Sequence, residues 1–214
     1  MQTCCPVVEL RQYTLHPGRR DELIELFDRA LLEPQEAVGM RVIGQFRDLG
    51  DPDRFVWLRG FADMESRREA LAAFYGGPVW AANRAAANPT MIASDNVLLL
   101  RPVHPHSGFA LAPGTRRAAD ASPSVVVCTI YYLDTLPDGE LLRAFERHLR
   151  APTAYFQTEP AENTFPRLPV RTGENVFVSF SAVADEPPPP SLAARFARAP
   201  ERLRLSPTSR SLLR

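Results

Sequence analysis

The sequence predicts an α+β fold built from two ferredoxin-like modules, because the order strand, helix, strand, strand, helix, strand occurs twice along its 214 residues. Residues 104–123, HPHSGFALAPGTRRAADASP, separate the two copies: they lack apolar periodicity and are rich in Pro, Gly, Ala and Ser, as a linker is. The expected bounds are therefore a first module at 1–103, a linker at 104–123 and a second module at 124–214. Each module would be an antiparallel sheet with helices on one face. The uncovered faces must be buried, either against each other in a pseudo-symmetric α+β barrel within one chain or against a second copy in a homodimer.

In the first module, residues 7–15 alternate like a strand, and residues 18–38 carry Leu23, Phe27, Ala30 and Leu31 at helical spacing. Pro17 suits the start of that helix and Gly39 its stop. Residues 40–47 and 54–61 read as a hairpin whose turn is built from Asp48, Gly50, Asp51 and Pro52. Asp63 is a good cap for a helix over 64–75. Gly76, Gly77 and Pro78 interrupt it, helical character resumes over 79–87, and a strand at 96–101 closes the module.

The second module repeats the order with little residue identity. Residues 125–133 predict a strand, 138–150 a helix, 153–157 a short strand and 175–183 another. After the prolines at 187–190, residues 191–199 predict a short helix, and 203–213 are left to supply the closing strand. Pro207 allows that strand only an edge or interrupted form.

Composition removes several classes of function. With 25 basic and 25 acidic residues and no basic stripe, the chain offers a nucleic-acid backbone little to hold. Every basic residue is arginine, which excludes lysine Schiff-base chemistry but suits the grip of carboxylate or phosphate. Cys4, Cys5 and Cys128 match neither a disulfide framework nor a metal site. No apolar run approaches the roughly 20 residues of a membrane span, and residues 1–5 lack a secretory start, so the expectation is a cytoplasmic protein without membrane or nucleic-acid partners. GxSxG, Walker, GxGxxG and HExxH patterns are missing.

Alternation places Glu9, Arg11 and Tyr13 on one face of the first strand, and Phe55, Trp57, Arg59 and Phe61 on one face of the third. These strands are neighbours in a ferredoxin-like sheet, so the two sets meet if they point the same way. Such a patch would hold a planar, anionic or carbonyl-bearing ligand, with guanidiniums on oxygen and rings stacking. In the plainer reading Glu9 pairs with Arg11 or Arg59 at the barrel interface and Trp57 fills the core. On the following helix, Phe74, Tyr75 and Trp80 flank the Gly76–Gly77–Pro78 break, as a lid over the patch or as a packing kink.

Residues 158–175, TEPAENTFPRLPVRTGEN, form a long connection between two strands, of a kind often functional. There Asn163, Arg167 and Arg171 would close over an acidic ligand, or the loop is simply solvated and stiffened by proline. His104 and His106 have an HxH spacing without a third ligand, so no metal is expected. His148 sits at the negative end of a helix dipole and is the one histidine kept as a proton carrier beside Tyr13.

The segment ELRQYTL at residues 9–15, together with FVWLRGFADMESRREALAAFYGGPVWAANRAAAN at 55–88, resembles the NIPSNAP family. The resemblance covers residues 7–102 closely. The second half matches by element order and by the loop at 158–175, as in two-module bacterial members. It implies membership of the dimeric α+β barrel superfamily, with Glu9, Arg11 and Tyr13 in family-like positions. The second module opens VVVCTIYYL, where Tyr131 or Tyr132 alone matches Tyr13, which implies one site per chain.

Related barrels include cofactor-free monooxygenases and cyclases. By that analogy the chain would be a small-molecule-binding protein or a cofactor-free enzyme, with Tyr13 or His148 moving protons, and Arg11 and Arg59 stabilising charge on oxygen. Trp57, Tyr75 and Trp80 would line its pocket. The alternative is a non-catalytic interaction or assembly module with an aromatic groove.

Overall fold

A computed structural model describes residues 3–111, 124–149, 151–183 and 187–214. Eight strands, β1 (Val7–Leu15), β2 (Arg41–Asp48), β3 (Arg54–Phe61), β4 (Met91–Pro102), β5 (Val126–Leu133), β6 (Ala154–Thr158), β7 (Asn175–Ser181) and β8 (Phe196–Pro207), form a closed barrel in the order β1-β3-β2-β8-β5-β7-β6-β4. Each half has the ferredoxin-like order, β4-β1-β3-β2 and β8-β5-β7-β6. The halves join antiparallel at two seams: Phe46 to Asp48 opposite Leu205 to Pro207, and Leu100 to Pro102 opposite Phe156 to Thr158. The modules therefore pair within the chain, and each covers the other's open sheet face.

Strand alternation decides what lies inside. Val8, Leu10, Val56, Leu58, Val126, Cys128, Ile130, Val176, Val178 and Phe180 point inward and fill the barrel with a continuous apolar core. A Cβ at Gly60 would collide with the side chain of Cys5, so a glycine stands where the N-terminal segment packs across β3. The opposite faces of β1 and β3 lie under the first-module helices: α1 (Arg20–Leu26), a π-helical stretch at Phe27–Leu31, α2 (Leu32–Ala37), α3 (Met64–Gly76) and α4 (Pro78–Ala87). The second module is covered by α5 (Gly139–His148) and the single turn α6 (Pro190–Ala193).

Local signals explain most boundaries. Asp63 caps α3 by accepting from Ser66 N at 2.6 Å, and Asp138 caps α5 by accepting from the amides of Glu140 and Leu141. Gly39, with φ of 96°, ends α2 in the left-handed conformation expected of a stop glycine. Gly77 is extended and Pro78 starts α4, so the break after Gly76 is real.

The structure corrects the second module's end. Helix α6 spans four residues rather than 191–199, and the closing strand begins at Phe196 rather than 203. The reason is pairing: Phe196 to Leu205 run antiparallel to β5, and backbone hydrogen bonding outweighs the weak helical signal of SLAARFARA. Pro207 sits at the end of β8, where its missing N–H costs no ladder bond. The strand expected at 96–101 starts five residues earlier, at Met91.

Part of the expected linker is core: Phe109 is buried in the barrel core, and its carbonyl accepts from Cys4 N at 2.8 Å. The rest of that linker, 112–123, and Arg150 at the end of the helix expected at 138–150 lie outside the described residues. Among the described residues no helix is long and apolar enough to cross a membrane.

Candidate functional site

The site lies outside the barrel wall, beneath the first-module helices, and not in the barrel interior. On β1 and β3 the pairs Glu9–Arg59, Arg11–Trp57 and Tyr13–Phe55 are direct cross-strand partners. All six belong to the helix-covered face and are buried.

At its centre one carboxylate meets three guanidiniums. Glu9 Oε2 accepts from Arg11 Nη1 and Arg59 Nε, each at 2.7 Å, and Oε1 accepts from Arg67 Nε at 2.7 Å. Burial alone would raise the Glu9 carboxyl, but Arg59, Arg11 and Arg67 outweigh it and hold the group well below the usual carboxylate range. The Arg67 guanidinium is shifted downward, first by burial and then by the neighbouring cations Arg59 and Arg11 acting against Glu9. Among the described residues Glu9 is the one carboxylate hydrogen-bonded to any of the three arginines, so the cluster carries an excess of two positive charges.

The remaining donors are only partly used. Arg59 Nη1 reaches Gln35 Oε1 at 3.2 Å, the Tyr75 hydroxyl at 3.3 Å and the Met40 sulfur at 3.7 Å. Arg11 Nε donates to the Tyr13 hydroxyl at 3.0 Å. Burial raises the Tyr13 phenol above its ordinary value, against the pull of Arg11, so it stays protonated at neutral pH. Three buried donors, Arg59 Nη2, Arg67 Nη2 and Trp57 Nε1, have no hydrogen-bond partner among the described residues.

Beside this cluster is a cavity of about 40 Å³ whose walls include Tyr13, Phe27, Trp57, Tyr75 and Trp80. Arg59 lies 5.1 Å from the Trp57 ring centre, and Trp57 in turn meets Phe27 edge-on at 4.9 Å. Two irregularities converge here: Phe27 and Leu31 come from the π-helical stretch, and Tyr75 and Trp80 flank the break between α3 and α4. Such π turns recur at functional sites.

The second module contributes a cover. Its long loop reaches back over α3, where Arg67 Nη1 donates to Asn163 Oδ1 at 3.0 Å and Thr164 Oγ1 at 3.2 Å. Phe165 stacks on Tyr75 with ring centres 6.2 Å apart, and Arg167 lies over Phe165. Glu9, Arg11, Tyr13, Trp57, Arg59, Tyr75, Trp80 and Asn163 thus come together, with Arg167 at the margin.

Two predicted residues do not join them. Arg171 sits over Tyr132 at the barrel end, bonded to Asn96 at 3.2 Å and paired with Glu174. His148 lies in the last turn of α5, over the other module. His104 Nε2 meets the Tyr155 hydroxyl at 2.7 Å, and among the described residues no three potential ligands gather as a metal site.

Sequence reasoning missed Arg67. Its signal was available: Arg67, Ala70, Leu71 and Phe74 share the buried face of α3 at helical spacing, whereas Arg68 is exposed and pairs with Glu65.

The equivalent space in the second module is filled. The outward face of β5 and β7 carries Thr129 and Ser179 as direct partners, and Tyr131 opposite Phe177. Phe145 of α5 stacks on Phe177 with ring centres 4.0 Å apart, so among the described residues aromatic rings pack where the first module has its arginines.

Comparison with known proteins agrees with this architecture. The NIPSNAP family model matches residues 8–105. A candidate monooxygenase from Fusobacterium nucleatum aligns over 97% of this chain and 94% of its own, with a TM-score of 0.56 at 9% identity. Another from Lactobacillus acidophilus covers 95% of this chain and 94% of its own, with a TM-score of 0.52 at 12% identity. An uncharacterised NIPSNAP-like domain protein from Burkholderia xenovorans is 27% identical over 52% of this chain and 94% of its own, with a TM-score of 0.44. No curated protein shows a significant match. Residues 8–105 are thus a NIPSNAP-like module, and the described residues as a whole form a two-module α+β barrel closed within one polypeptide.

Proposed function

We propose that the chain binds a small planar anion between the first-module sheet and its helices, with the anionic oxygen taken by Arg59 and Arg67 and the ring held among Tyr13, Phe27, Trp57 and Trp80. The observation that carries this reading is the buried excess of two positive charges beside three unpaired donors. An uncompensated buried charge costs several kcal/mol, and a core that serves stability alone would pair it or replace it with apolar side chains. A bound anion supplies the missing acceptor, and the aromatic walls favour one carried on a ring.

The same geometry supports cofactor-free chemistry on the bound molecule. Tyr13 is a protonated phenol whose oxygen accepts from Arg11 Nε, and it faces the cavity as a proton donor. Arg11 and Arg59 would stabilise negative charge developing on a substrate oxygen. The structural neighbours named as candidate monooxygenases make oxygen uptake in the presence of a phenolic anion the first activity to assay. The reading as an interaction module has less support: among the described residues Leu49, Ile92, Leu136 and Val183 are the large exposed hydrophobic side chains, and they stand on separate elements.

Titration calorimetry and native mass spectrometry with salicylate, benzoate and neutral benzamide test the proposal. One salicylate or benzoate per chain is expected, with benzamide weaker by at least about tenfold because it lacks the charge. Arg59→Met should remove binding while the circular dichroism spectrum is kept. Equal affinity for benzoate and benzamide, or full affinity in a folded Arg59→Met variant, would sink the idea.

A further inference from the structure

The cavity beside Trp57 has a volume of about 40 Å³. A cavity needs about 10–15 Å³ to hold one water molecule, whereas an apolar cavity known to admit benzene is about 150 Å³. A ring therefore enters only if one wall moves, and the walls are unequally held. The strands β1 and β3 are held in the closed barrel by pairing on both sides. Along the first helical run Leu23, Ile24, Leu26, Phe27, Leu31 and Leu32 are buried, and α3 buries Arg67, Ala70, Leu71 and Phe74. Of the ten residues of α4, Ala87 alone is buried.

We propose that α4 is a hinged cover, opening about Gly76–Gly77 at one end and the Asn88–Thr90 turn at the other, and carrying Trp80 out of the cavity wall. This deepens the anion-site reading and rests on it for its purpose, but not for its test. Helices with few buried contacts open at low local free energy, and hinges are short segments at element ends that absorb the backbone change. Gly77 is extended between two helices, and the second hinge contains Pro89. Trp80 meets Tyr75 at 5.1 Å between ring centres, and Tyr75 accepts from Arg59 Nη1. Withdrawing Trp80 uncovers the ring beside that guanidinium while Tyr75, on α3, stays in place.

Hydrogen–deuterium exchange of the full chain without ligand tests the hinge. Peptides within residues 78–87 should exchange at least about tenfold faster than those of α3, as a locally opening unit does. A Cβ at Gly77 would lie 2.7 Å from the Ala73 carbonyl oxygen, too close for the closed hinge, whereas one at Gly76 meets nothing within 4 Å. Gly77→Ala should therefore speed exchange in α4 by a further factor of about ten with α3 unchanged, and Gly76→Ala should leave it within about twofold. Exchange in α4 as slow as in α3, or a Gly77→Ala effect spread equally over both helices, would overturn the hinge. Failure of salicylate to bind would count against the anion site instead and leave this readout unaffected.

Discussion

Arg67 Nε donates to Glu9 Oε1 at 2.7 Å across 58 positions of sequence, with both side chains fully buried. That bond ties strand β1 to helix α3. Through Arg67 Nη1 it also ties both to Asn163 and Thr164 of the second module. A single carboxylate thus connects the sheet, its helical cover and the loop that closes over them.

Removing that carboxylate's charge should be costly. Breaking a buried ion pair by neutralising one partner typically costs about 3–5 kcal/mol, because the other charge is left buried and unpaired. Here three cations would remain, so Glu9→Gln is expected at the upper end of that range. Urea unfolding of wild type and variant gives the difference directly; a loss under about 1 kcal/mol would show that the cations are compensated elsewhere.

The same variant predicts a pH dependence. The folded-state pKa of Glu9 is depressed below its ordinary 4.5, so its contribution is fully present above that value and is lost as pH falls toward the folded pKa. Glutamine mimics the protonated acid. The stability gap between wild type and Glu9→Gln should be flat between about pH 8 and about pH 6 and should narrow below the ordinary carboxylate range. A gap that persists unchanged at low pH would mean that the lost contact is steric and not ionic.

Much of this site was legible because strand alternation is a strict period of two. Once residues 9–13 and 55–61 are strands, the faces of Glu9, Arg11, Tyr13, Trp57 and Arg59 follow, and ferredoxin-like order makes them neighbours. Arg67 was less visible because it adjoins Arg68, and charge alone does not distinguish a buried arginine from an exposed one. The destination of the loop at 159–174 is a long-range fact: nothing in TEPAENTFPRLPVRTGEN states that Phe165 packs on Tyr75 of the other module. Strand β8 was misjudged for a related reason. Its alanines and arginines favour a helix locally, and only the partner strand β5 decides otherwise.

The excess charge makes a distinct prediction at Asn163. Its Oδ1 accepts from Arg67 and its Nδ2 donates to Leu168 O at 2.8 Å. Asn163→Asp would turn the first bond into an ion pair with Arg67, which is stronger than a bond to a neutral amide, and lose the second, worth about 0.5–1.5 kcal/mol. Stability should therefore change little or rise slightly, while the excess of positive charge is halved. Benzoate affinity should fall by about tenfold, read by calorimetry at fixed ionic strength. Unchanged affinity would mean that the anion does not sense Arg67.

The second module should show the opposite pattern, stability without binding. Phe145 is fully buried and lies nearly parallel to Phe177, within 4° of coplanar orientation. Truncating a buried phenylalanine to alanine costs about 3–5 kcal/mol through lost transfer energy and the cavity left behind. Phe145→Ala should lower stability by that amount in urea unfolding yet leave benzoate bound at one per chain with the same affinity under native conditions. A second benzoate per chain in the wild type would show instead that the space under α5 is a site in its own right, because the stacked pair would then have to part to admit it.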